Sequence, residues 1–256
     1  MEKRFLNMFY TGGWDSTYML IKILKIKQTI QPIYVYDDGR KSRDRELKHI
    51  ELIFNELKEK KYFGGKLLPL IKINLKDIKV NEKSEKSYNN ICKQVKLGCQ
   101  YKWLSEISQK YSPVAIGIEK PNGEFSGCVD AIEKNGKLFF NNDIGYIDKE
   151  KSNNDLVNLF GNFCFPIINE TEIDMLQNIK KWGLEDVMKN IWFCHNPIKN
   201  QPCGFCRPCE QKMECCMEFL LPEKSQKRYF RKRKIEKILG KKATNLYIRI
   251  YRKIIK

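Results

Sequence analysis

Residues 11–17 read Thr11-Gly12-Gly13-Trp14-Asp15-Ser16-Thr17 and directly follow the apolar run Phe5–Tyr10. The run suits a strand, and the residues from Asp15 onward suit a helix. A glycine pair at such a turn is a phosphate-binding arrangement. Gly12 and Gly13 admit backbone angles that other residues resist, and they let the chain approach a ligand closely. The unpaired N–H groups of the first helical turn, with the helix dipole, favour an anion there. Thr11, Ser16 and Thr17 add hydroxyl donors. The loop holds no lysine, which excludes the G-x-x-x-x-G-K-[ST] pattern of ordinary P-loops.

Outward from this loop, strand-like and helix-like segments alternate. Asp15–Lys27 reads as a helix with Met19, Leu20, Ile23, Leu24 and Ile26 inward, and Ile33–Tyr36 as a second strand. Arg43–Lys60 reads as a helix with Leu47, Ile50, Leu52, Ile53 and Leu57 inward. Leu68–Leu75 contains a third strand, Cys99–Tyr111 is helical, and Val114–Ile118 is a fourth strand. This alternation predicts an α/β fold, a doubly wound and mostly parallel sheet with helices on both faces. Ligands of such sheets sit beyond the carboxyl ends of the strands. The loop 11–17, the Asp37–Gly39 turn and the segment after Ile118 are expected to converge there. Further on, Val129–Ile132 and Leu138–Phe140 flank Asn135-Gly136, which predicts a hairpin. Residues 171–183 predict a helix that stops at Gly183, with Ile173, Met175, Leu176 and Ile179 inward.

Cys194, Cys203, Cys206 and Cys209 are spaced C-x8-C-x2-C-x2-C. Four thiolates this close in sequence can surround one tetrahedral ion, as in structural zinc sites. Pro202, Gly204 and Pro208 suit the tight turns that aim sulfurs inward. His195 adjoins the set, but four sulfurs already fill a tetrahedral site. The remaining cysteines are scattered, or, as Cys215 and Cys216, follow the cluster in a helix. In a chain with cytosolic character, clustered cysteines bind metal more often than they form disulfides.

The turn resembles the S-G-G-x-D-S loop of the ATP pyrophosphatase (PP-loop) superfamily, with Thr11 keeping the hydroxyl of the usual serine. The cysteine spacing is similar to that of the 7-cyano-7-deazaguanine synthase family, which carries the same loop and acts in queuosine biosynthesis. Tyr36–Glu46 is similar to that family's D-Y-G-Q-R-H-R-x-E stretch, one residue out of register by Glu46, and Ser126, Gly127 and Asp130 to part of its S-G-Y-P-D-C segment. The family's V-P-x-R-N element has no counterpart. The resemblance implies a PP-loop fold and an ATP-dependent ligase that adenylates a carboxylate or carbonyl oxygen, releases pyrophosphate, and transfers ammonia or an amine. It implies ATP at Thr11, Gly12, Gly13, Trp14, Asp15, Ser16 and Thr17, with Asp15 and Ser16 catalytic. It also implies Mg2+ near Asp15, Zn2+ on Cys194, Cys203, Cys206 and Cys209, and substrate contacts at Gly39, Arg43, Lys120 and Asp130. The loop lacks a cation for the departing pyrophosphate; Arg40, Lys41, Arg43, Arg45 and Lys120 are the candidates.

The chain has 256 residues, enough for one α/β domain with an appendage. We read 1–190 as the nucleotide-binding domain, 191–222 as the four-cysteine segment and 223–256 as a basic tail. No apolar run reaches the ~18 residues of a membrane span, and the N-terminal apolar stretch is too short for a signal peptide. A cytoplasmic location is expected. Residues 223–256 carry net +12 of the chain's +17. There Leu246, Tyr247, Ile250, Tyr251, Ile254 and Ile255 share one helical arc, and Arg249, Arg252, Lys253 and Lys256 fall on the other. This tail suits docking on its own domain, nucleic acid, anionic lipid or a protein partner, and a homodimer is compatible with the chain. Two rival functions remain open: a tRNA-modifying PP-loop sulfurtransferase, and a non-catalytic nucleic-acid-binding protein.

Overall fold

The first apolar run forms β1 (Leu6–Phe9), buried along its whole length. Strands buried on both faces are the mark of a parallel sheet covered by helices. The computed structural model describes residues 5–40, 42–59, 64–121 and 127–255. Lys41, Lys60, Ser126 and Lys256, and the side chain of Ile255, lie outside the described residues.

After β1 come α1 (Trp14–Lys25), β2 (Ile30–Tyr36), α2 (Arg43–Glu59) and β3 (Ile71–Asn74). The middle of the chain forms α3 (Glu82–Cys92), α4 (Gln100–Tyr111), β4 (Val114–Ala115) and α5 (Gly127–Asn135). Next are β5 (Leu138–Asn141), β6 (Ile144–Ile147), α6 (Asn154–Phe160) and β7 (Phe163–Phe165). Helices α7 (Glu172–Trp182), α8 (Glu185–Lys189), α9 (Arg207–Glu214) and α10 (Glu223–Ile255) complete it. The seven strands form one sheet in the order β3-β2-β1-β4-β7-β6-β5. The first five are parallel, and β6 and β5 add antiparallel pairs at one edge. The chain is thus an α/β protein with a mostly parallel sheet.

The strand order reverses at β1: β2 lies on one side and β4 on the other. Loops leaving β1 and β4 therefore diverge, and the gap between them is where such sheets bind ligands. Alternate side chains of β1, with that of Tyr10 just after it, feed two cores. Leu6, Met8 and Tyr10 pack with α1, α2, α7 and α8. Phe9 packs with α3–α6 on the other face. Cys203, Phe205, Cys209, Met217 and Leu221 belong to the first of these cores, so residues 191–222 pack into the same body as β1.

Three expectations need correction, and one helix was not expected. Val129–Ile132 is not a strand: Cys128, Ala131, Ile132 and Asn135 are the buried face of α5, a helical spacing. The hairpin instead joins β5 to β6 through Asn142 and Asp143, at φ 49° and 64°. A two-residue turn of type I′ needs positive φ at both central positions; Asn135-Gly136 ends a helix instead. Helix α3 had no apolar rhythm to betray it, because its buried face is Ser84, Ser87 and Ile91. Ile26, Leu52 and Ile173 are exposed: Ile26 and Ile173 lie at helix ends, and Leu52 lies mid-helix off the buried face of α2. By contrast, α7 stops at Gly183, which takes the left-handed conformation (φ 64°) that suits glycine.

In the described residues, no helix is long and apolar enough to cross a membrane.

Candidate functional site

The turn between β1 and α1 is held by its own hydroxyls. The Thr11 N–H reaches Ser16 Oγ at 3.3 Å, and Thr11 Oγ1 lies 3.2 Å from the same oxygen. Gly12 takes φ +70°, and a Cβ there would meet Ile50 Cγ1 at 2.8 Å. Both facts require glycine. Gly13 is the extended N-cap of α1 and has no side chain to cap with, so the first N–H groups of the helix stay available to an anion. From the far side, the Trp192 N–H donates to the Gly12 carbonyl at 3.0 Å.

A cavity of about 450 Å3 opens over this turn, within the range of small-molecule sites. Thr11, Gly13, Trp14, Asp15 and Ser16 form one wall. The carboxyl ends of the sheet supply Ile33, Val35, Ile116 and Ile118, and α4 supplies Tyr101 and Trp103. Phe193, Cys194, His195 and Lys212 close the side toward the cysteines. One end is apolar and aromatic, the other charged.

The charged end centres on Lys212. It is buried, pairs with the equally buried Glu172, and lies 4.9 Å from the Trp14 ring centre. Burial raises the Asp15 carboxyl above its ordinary range; the Lys212 charge pulls it down and the Glu172 charge pushes it up. Burial, then the charges of Asp15 and Glu172, push Glu119 up to about 8, against Lys212. Three carboxyls thus crowd one ammonium, and not all of them ionise together. Among the described residues, Glu172 Oε2, Trp14 Nε1 and Trp192 Nε1 are buried without a hydrogen-bond partner. All three residues line the cavity.

Cys194, Cys203, Cys206 and Cys209 place their sulfurs within 4.8 Å of one another. Individual separations are 3.5 Å (206–209), 3.9 Å (194–206) and 4.0 Å (203–209). A tetrahedron with Zn–S of ~2.3 Å has edges of about 3.8 Å, so the set fits a metal such as zinc. The N–H groups of Phe205 and Cys206 both point to Cys203 Sγ at 3.3 Å, and that of Cys203 to Cys194 Sγ at 3.1 Å. Such donors favour the thiolate form a metal needs. Gly204 sits where a Cβ would meet the Ser225 carbonyl at 2.1 Å.

Of the residues expected at the nucleotide, five line the cavity. Gly12 and Thr17 do not: Gly12 lies under Ile50, and Thr17 is buried beside the Tyr10 hydroxyl at 3.2 Å. The turn and Cys194, far apart in sequence, line one cavity. Gly39, Arg43, Lys120 and Asp130 lie outside its walls. Arg43 is engaged with Asp38 and Asp44. Lys120 is exposed, and its N–H donates to the Glu170 carbonyl; Asp130 is on α5. Arg40 does line the cavity, paired with Glu46 at 2.9 Å. Sequence reasoning missed Lys212, Glu119 and Glu172. The usable signal for Lys212 was its place one helical turn after Cys209, on a helix that a metal would fix.

Fold and site together define an α/β protein with a glycine turn at its topological switch point and a four-cysteine cluster able to hold a metal beside it. No protein-family model matches this chain, and no curated protein matches it significantly in sequence.

Proposed function

We propose that this protein is an ATP-dependent ligase of the PP-loop kind, which adenylates a small carboxylate and passes the acyl group to ammonia or an amine. The observation that carries the reading is the shared cavity: Thr11, Gly13, Asp15 and Ser16 of the turn line the same space as Lys212 at the switch point of the sheet.

In this reading the turn receives the β- and γ-phosphates through the first N–H groups of α1 and the hydroxyls of Thr11 and Ser16. The adenine lies toward Tyr101, Trp103 and the apolar strand ends. The substrate carboxylate attacks the α-phosphorus, the bond to the bridging oxygen breaks, and pyrophosphate leaves. Lys212 and Arg40 are the cations that meet the charge developing on that leaving group, where a preplaced charge is most effective. The amine then attacks the acyl carbon, and AMP departs. Asp15 and Glu172, the acids of the cluster that line the cavity, offer a site to take the proton the amine loses. Asp15 is also the carboxylate that would hold Mg2+, which prefers oxygen ligands and is often shared with phosphates. Zinc on the four cysteines would fix the segment that carries Lys212 and would take no part in the chemistry.

The test is isotopic. A carboxylate labelled with 18O, incubated with the protein, ATP and ammonia, should deliver one label to AMP, and pyrophosphate should accumulate. ADP and phosphate as products, or unlabelled AMP, would overturn the reading.

A further inference from the structure

The last helix does two different things with its charge and its apolar surface. At Gly240 its backbone leaves the helical region (φ 76°, ψ 176°). Both halves then reach Phe205: Lys232 Nζ bonds its carbonyl at 3.2 Å, and Tyr247 and Tyr251 pack edge-on against its ring. An unbroken helix would hold residues 232 and 247 about 22 Å apart, so the chain folds back on itself. The domain consumes only part of this element. Arg228 bonds the carbonyls of Cys203 and Pro202, and Lys232 pairs with Glu210. Arg231, Lys234, Lys237, Lys242, Arg249 and Lys253 make no ion pair among the described residues.

The apolar arc of the second half is wider than the surface it docks on. Tyr247, Ile248 and Tyr251 face the core. Leu246, Ile250 and Ile254, one per turn, are left 57%, 47% and 77% exposed. Ile238 and Leu239, just before the fold-back, are each 65% exposed. At 100° per residue, Lys242, Arg249 and Lys253 lie directly beside the stripe of Leu246, Ile250 and Ile254.

We propose that this folded-back helical pair is a docking surface for an anionic lipid bilayer. Aliphatic side chains flanked by unpaired cations match such an interface: the stripe enters the acyl boundary while Lys and Arg meet headgroup phosphates. Nucleic acid uses the cations and stacks on aromatic rings, and it offers nothing to an Ile–Leu stripe. This proposal is independent of the reaction in the cavity.

Cosedimentation of the full-length protein with vesicles tests it, using phosphatidylcholine alone and mixed with phosphatidylserine. The protein should pellet only with the mixed vesicles. The triple variant Leu246→Ser, Ile250→Ser, Ile254→Ser should bind them at least about a hundredfold more weakly. The triple variant Lys242→Gln, Arg249→Gln, Lys253→Gln should lose on the order of a hundredfold as well. All six positions are exposed, and an unchanged melting temperature checks that the fold survives. Three results would overturn the proposal: no binding to the mixed vesicles, binding that the serine variant leaves intact, or a self-association that the serine variant abolishes while vesicles are ignored. A single-stranded RNA bound equally well by parent and serine variant, with no vesicle binding, would assign the surface to nucleic acid instead.

Discussion

The Trp192 N–H donates to the Gly12 carbonyl at 3.0 Å, and Cys194 follows only two residues later. The floor of the glycine turn is thereby fastened to the chain that carries the first sulfur of the four-cysteine cluster. Trp192 is itself held from outside, with its ring 5.0 Å from that of His49 and the Arg45 guanidinium 5.9 Å from its centre. Order at the cysteines is passed to the turn through one peptide.

Metal removal should therefore be felt at the turn. Structural zinc contributes ~10–16 kcal/mol of binding energy in small zinc peptides, only part of which will register here, because the segment also packs into the core. We expect about one zinc per chain by elemental analysis. A chelator, or Cys203→Ser, should lower the melting temperature and speed exchange of the Trp192 amide proton. A metal-free chain with the same melting curve and the same Trp192 protection would contradict this coupling.

Lys212 and Glu172 form a pair with almost no exposed surface. Removing one partner of such a pair leaves a bare buried charge and costs about 3–5 kcal/mol. Lys212→Met should cost that much in urea denaturation. Adding Glu172→Gln should restore a large part of it, since the orphaned charge is then gone. A double variant no more stable than Lys212→Met would show that the two side chains are not coupled.

The parallel core was legible because its signals are local. A strand, a glycine pair and a helix start lie together at 5–20, and four cysteines lie within 194–209. What was hidden is what only tertiary packing creates. Lys212 and Glu172 are forty positions apart and read as ordinary surface charges until both are seen buried. Glu119 and Lys120 are neighbours, yet the backbone sends Glu119 into the carboxylate cluster and leaves Lys120 exposed. Helix α3 buries serines, which no apolar pattern reveals. Asn135-Gly136 carried the stronger hairpin signal, yet helix α5 claimed it, with Gly136 donating to the Ile132 carbonyl at 2.9 Å.

Gly12→Ala should be costly for two separable reasons. Its φ of +70° strains any residue with a Cβ by ~1–2 kcal/mol, and that Cβ would press on Ile50 at 2.8 Å. Adding Ile50→Ala to Gly12→Ala removes the Cγ1 that the new Cβ would meet, so it should relieve the contact and leave the backbone strain. Thermal melts of the single and double variants against Ile50→Ala alone would divide the two parts. A Gly12→Ala chain as stable as the parent would mean that the turn adopts another conformation.

Glu119 ties stability to pH with a definite sign. Its carboxyl titrates near 4.5 when solvated and at about 8 in the folded chain, where burial and the charges of Asp15 and Glu172 oppose ionisation. Between those values the folded chain keeps a proton that the unfolded chain has released. Stability therefore falls as pH rises through this window, by at most about 1.4 kcal/mol per pH unit for one proton, and levels off above the folded value. Asp15, also raised from its ordinary 3.8, adds a contribution of the same sign that begins at lower pH. Glu119→Gln keeps the shape without the proton, so it should flatten the decline between pH 5 and 8. Urea midpoints of parent and variant across that range make the comparison. Equal slopes in the two chains would mean that Glu119 ionises normally, and the carboxylate cluster would then lose its claim to hold a transferable proton at neutral pH.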